Sequence, residues 1–75
     1  MSRKLPAVTA KNIIRLLERK GFVKVRQSGS HAIFRDASGR RTTVPIHSSK
    51  NLGIGLLKQI MKDADISEME LRREV

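Results

Sequence analysis

Apolar residues recur along this chain with two periods, and the switches between them divide it into elements. From Ala10, the residues Ile13, Ile14 and Leu17 follow the spacing of one helical face, and Leu16 widens the stripe. Thr9 is placed to cap this helix after the extended lead-in Pro6-Ala7-Val8. Gly21 is placed to end it as a left-handed residue, with Phe22 folding back on Leu17 in a Schellman motif. The period then shortens. Val23-Lys24-Val25-Arg26 alternates apolar and basic, as a half-buried strand does, until Gln27-Ser28-Gly29-Ser30 breaks it. His31-Ala32-Ile33-Phe34-Arg35 reads as a second strand, and Asp36-Ala37-Ser38-Gly39 as a type I turn closing a three-residue hairpin loop. A third strand runs from Arg40 to Ile46, with Pro45 favouring an edge or strand-end position.

After a loop at His47-Ser48-Ser49-Lys50-Asn51, Leu56, Leu57, Ile60, Met61 and Ala64 outline a second amphipathic helix. Ser67-Glu68-Met69-Glu70 is a capping box opening a short terminal helix that carries Leu71. The predicted order is α-β-β-β-α with a short extra C-terminal helix. This is an α+β two-layer fold: a three-stranded antiparallel sheet with helices on one face and the other face toward solvent. Residues 1–75 read as a single domain. A core this small cannot also enclose a large cavity, so any site must lie open on the surface.

The hairpin loop sets the register. With Ala37-Ser38-Gly39 as the loop, Asp36 pairs with Arg40, His31 lies opposite Pro45, and Ile33 opposite Thr43. Ala32, Phe34, Thr42, Val44 and Ile46 then share the core face, and His47 becomes the diagonal neighbour of His31 at roughly 7–8 Å. A two-residue Ser38-Gly39 loop would send the two histidines to opposite faces. Gathering the apolar residues favours the longer loop.

Charge narrows the choice of partner. The net charge is +9. Up to residue 62, fourteen Lys and Arg stand against two acids, giving +12; beyond it, two Arg stand against five acids, giving −3. A basic body of this density attracts polyphosphate by releasing counterions. There is no Trp or Tyr, and both Phe fall at core positions, so no stacking platform for bases is available. Contact with nucleic acid is expected through phosphates, from Lys11, Arg15 and Arg19 along the first helix and from Lys24, Arg26, Arg35 and Lys50. The absence of cysteine excludes disulfides and thiolate chemistry and fits a reducing compartment. The basic N-terminus lacks an apolar segment behind it, and no run approaches the ~18 apolar residues of a membrane span, so a cytoplasmic protein is expected.

Gly29-Ser30-His31 is the stretch with chemical potential. It places an imidazole, with an unperturbed pKa near ~6.5, at the mouth of a hairpin within a basic surface. RNA carries its own nucleophile, the 2′-hydroxyl, so a general base and nearby positive charge can suffice to cleave it. His31 would take the 2′-OH proton while Arg35 or Lys50 offsets phosphate charge; the leaving oxygen would be protonated by His47 as an auxiliary acid, by His31 itself, or by water. A solvated histidine beside a turn is the plainer reading of His31 from spacing alone, and a structural role is the plainer reading of His47. Divalent metal catalysis is disfavoured, since the first 62 residues hold only Glu18 and Asp36 as carboxylates, and no cofactor is expected. Ser28 and Ser30 read as turn residues rather than nucleophiles. A non-catalytic RNA-binding module is the alternative; a DNA-binding accessory protein is disfavoured because no helix-turn-helix spacing is visible.

Several fragments in order resemble the HicA toxin family: Lys20-Gly21-Phe22, Gln27-Ser28-Gly29-Ser30-His31, Thr43-Val44-Pro45-Ile46-His47, a glycine-containing helix start with Leu56 and Ile60, and Ala64-Asp65-Ile66-Ser67. The resemblance implies a double-stranded-RNA-binding-like fold, mRNA interferase activity within a toxin–antitoxin pair, and neutralisation by a HicB-type antitoxin. It also assigns the catalytic histidine to His31. Ala32 departs from the polar or bulky residue that often follows the motif histidine in relatives.

Overall fold

A computed structural model describes residues 5–46 and 50–75. Helix α1 (Ala10–Arg19) leads into strands β1 (Val23–Ser28), β2 (His31–Arg35) and β3 (Arg41–Pro45), followed by helices α2 (Ile54–Ala64) and α3 (Glu68–Glu74). The sheet is antiparallel in the order β1-β2-β3. This is the α-β-β-β-α order of a double-stranded-RNA-binding-like domain, with α3 as the added helix.

The ends of α1 form as its local sequence dictates. The Thr9 hydroxyl accepts a hydrogen bond from the Asn12 amide while the Asn12 side chain accepts from the Thr9 amide, a reciprocal cap. At the other end Gly21 has φ +92°, and the Phe22 and Gly21 amides donate to the carbonyls of Leu17 and Glu18. These are the two bonds of a Schellman motif. They turn Phe22 into the core, where it is buried with Ile13 and Leu17.

The register of β2 against β3 is the one the longer loop requires: His31 pairs with Pro45, Ile33 with Thr43, and Phe34 with Thr42. The loop is held by Asp36, whose carboxylate accepts from the Ser38 amide and hydroxyl and the Arg40 amide. Ala32, Phe34, Thr42 and Val44 are buried on the helix side, and Ile46 packs half-buried against them. Thr42 is the one buried polar residue in the described core, and its hydroxyl donates to Asp63 at 3.2 Å.

Two expectations need correction. β1 is exposed along its whole length rather than half-buried, with Val23 at 61% and Val25 at 54%. It is an edge strand, and the principal helix contacts fall on β3 at the opposite edge. The buried face of α2 is Leu57, Ile60 and Ala64; Leu56 is exposed and Met61 half-buried. The terminal helix forms with its capping box intact, Leu71 in the core, and ion pairs to the end of α1 from Glu70 to Lys20 (2.8 Å) and Glu74 to Arg19 (3.3 Å).

Candidate functional site

The Gly29-Ser30 turn joins β1 to β2, and the flanking residues Ser28 and His31 pair across it. Gly29 has φ +58°, the left-handed backbone that tight hairpin turns demand and that glycine adopts without penalty. The turn is fastened twice. The Gln27 side-chain amide donates to the Gly29 carbonyl at 3.2 Å, and the Ile46 amide donates to the Ser30 carbonyl. That second bond makes His31 and Pro45 a non-hydrogen-bonded pair, so proline's missing N–H costs the ladder nothing. Pro45 therefore sits beside the histidine, where paired side chains approach most closely.

His31 lies on the sheet face opposite the helices and is exposed. In the paired register this open face carries Ser28, His31 and Pro45 in one row, then Arg26, Ile33 and Thr43, then Val23, Arg35 and Arg41. Arg26 is the diagonal neighbour of His31, roughly 7–8 Å away between strand positions. Lys50 reaches the same end by another route: it lines a cleft of about 230 Å³ with Pro45, Ala10 and Leu52. That segment is held by the Leu52 amide donating to the Val8 carbonyl at 2.8 Å, beside a bridge between Thr9 and Asn51. The arrangement offers an accessible imidazole with Arg26 as its diagonal neighbour and Lys50 in the cleft beside its paired residue Pro45, which suits an anionic polymer laid across the strands.

Other expected residues lie elsewhere. Arg35 shares the face of His31 but stands four positions along β2, roughly 13 Å away. Lys24 is on the helix side of the edge strand, because a β-bulge between Lys24 and Arg26 breaks the simple alternation that would have put both on one face. Its ammonium donates to Gln27 at 2.7 Å. Lys11, Arg15 and Arg19 are exposed on α1, in the helix layer, and Arg19 is engaged by Glu74. His47 lies outside the described residues.

The family model for the HicA toxin of bacterial toxin–antitoxin systems matches residues 10–66. The chain belongs to the HicA toxin family. The match spans α1 through the segment after α2, the Gly29-Ser30-His31 turn included, and leaves α3 outside it. No curated protein matches the chain. No helix among the described residues is long and apolar enough to cross a membrane.

One cation on the open face of this HicA-family chain escapes a reading by composition alone. Arg41 is paired directly with Arg35 across β2 and β3. The signal for it was present in the hairpin loop, since the register that sets His31 opposite Pro45 also sets Arg35 opposite Arg41.

Proposed function

We propose that this chain is a metal-independent endoribonuclease that cleaves messenger RNA, with the whole chain acting as one domain. The observation that carries the proposal is the exposed His31 on the open, cationic face of the sheet, away from the helices. His31 takes the proton from a ribose 2′-hydroxyl, and the 2′-oxygen forms a bond to the adjacent phosphorus. The bond from phosphorus to the 5′-oxygen breaks, and that oxygen leaves with a proton supplied by the imidazolium, by His47 or by water. Arg26 and Lys50 are placed to offset charge on the reacting phosphate; Arg35 contacts the backbone farther along. Ser28 and Pro45 flank the ring and set its direction of approach. The family supports a toxin role, and we infer a HicB-type antitoxin that neutralises the chain by binding it in the cytoplasm.

The test is digestion in EDTA of an RNA oligonucleotide and of a copy carrying a single 2′-deoxy residue at the cleavage position. Cleavage of the RNA to a 2′,3′-cyclic phosphate and a 5′-hydroxyl, with the deoxy copy left intact, is expected. Equal cleavage of both would overturn the 2′-hydroxyl mechanism. Tight binding without cleavage of either would favour a non-catalytic RNA-binding module.

A further inference from the structure

Arg35 and Arg41 are neighbours across β2 and β3, and together with Arg26, Ile33 and Val25 they line an open cleft of about 220 Å³. Like charges directly opposite one another on a sheet destabilise it. Among the described residues none of the three arginines forms an ion pair or a side-chain hydrogen bond, although the chain elsewhere pairs Arg19, Lys20, Arg40 and Arg72 with carboxylates. A repulsive pair left without an acid among the described residues, beside Ile33 and Val25, is arranged for an anion supplied from outside. Guanidinium forks match phosphate oxygens in a bidentate manner that ammonium groups cannot.

We infer that Arg35 and Arg41 form a phosphate clamp that holds a single backbone phosphodiester of the RNA, with Arg26 on its rim and Ile33 and Val25 beneath the adjoining sugar. The site lies on the open face roughly 13 Å from His31, so it grips a phosphate other than the one that reacts. It thereby fixes the direction in which the strand crosses the sheet and sets a minimum substrate length. This inference rests on RNA as the ligand of the open face, but not on cleavage.

The experiment therefore uses RNA that cannot be cut: a 2′-O-methyl oligonucleotide, and a series in which one linkage at a time is a neutral methylphosphonate. For the native chain, neutralising one linkage should weaken binding roughly tenfold while its neighbours matter little. Arg35→Gln and Arg41→Gln should each weaken binding by a similar factor and erase the sensitivity to that linkage. The double variant should lose less than the product of the two single losses, because both side chains hold one group. Removing one of two repelling charges leaves the fold intact, which a thermal melt of each variant checks. Multiplicative losses, with every linkage contributing alike, would overturn the clamp in favour of diffuse attraction. A clamp found without any cleavage of ordinary RNA would leave this inference standing and remove the catalytic one.

Discussion

A handful of single residues decide where the proposed chemistry can happen, and most act through backbone geometry. Gly29 and the Ile46 amide hold the turn that presents His31. Gly21 starts the path from α1 into the sheet with φ +92°, a conformation that costs a residue with a Cβ about 1–2 kcal/mol even though an added Cβ would meet no atom within 4 Å beyond the adjoining residues. Gly21→Ala should therefore lower unfolding free energy by about that amount in a urea titration, without altering RNA binding. This Schellman end, the Thr9 cap and the Ser67 capping box were all legible in sequence, because each depends on residues within a few positions of one another. The bulge at Lys24 and Arg26 was not. It depends on how β1 pairs with β2, and nothing local to Val23-Lys24-Val25-Arg26 distinguishes it from regular alternation.

At the scale of elements, the hairpin between β2 and β3 is the critical join. Its loop length decides which faces carry Val44 and Pro45, and the sequence disclosed it because only one register gathers the apolar residues. Deleting Thr43 within β3 would shift the residues after it by one, turning Val44 to the open face and Pro45 toward the core. A large drop in melting temperature, with loss of cooperative unfolding, is the expected outcome. The buried face of α2 excludes Leu56, which the apolar spacing includes, since a helix that rests mainly on a single strand buries a narrow stripe.

The contact between α1 and α3 gives a pH dependence with a definite sign. Glu70 accepts from the Lys20 ammonium and the Ser67 amide, which together hold its carboxyl below the usual range despite partial burial. Asp36 is also held low: desolvation pulls it upward, but the Ser38 hydroxyl, the Arg40 and Ser38 amides and the Arg40 charge outweigh it. A carboxyl with a lowered folded-state pKa contributes stability that is complete above its unfolded value and fades as pH falls through the folded one. Denaturation midpoints should thus drop as pH is lowered below about 4, and Glu70→Gln should flatten part of that drop. Leu71→Ala, which empties the buried contact of α3, should cost about 3 kcal/mol at neutral pH.

Over the whole molecule, charge and layering divide the labour. The helices bury one side of β2 and β3, the acidic terminal segment pairs with Arg19 and Lys20 at the end of α1, and among the described residues the arginines of the open face stay unpaired. The amino-acid pattern revealed the layers and the basic excess. It could not reveal which cations share a surface with His31, because that sorting depends on the bulge, on the loop carrying Lys50 and on pairings to α3. RNA affinity carried by phosphates should fall steeply as salt rises from low to physiological levels. Affinity independent of salt would contradict a phosphate-borne interface.

The claim on which the catalytic reading turns is that the His31 imidazole moves the 2′-hydroxyl proton. Single-turnover cleavage of one RNA by the native chain and by His31→Ala, with binding measured in parallel on an uncleavable copy, tests it most directly. A rate lower by about 10²–10⁴-fold at nearly unchanged affinity is the expected result. A variant that binds and cuts as well as the native chain would contradict it.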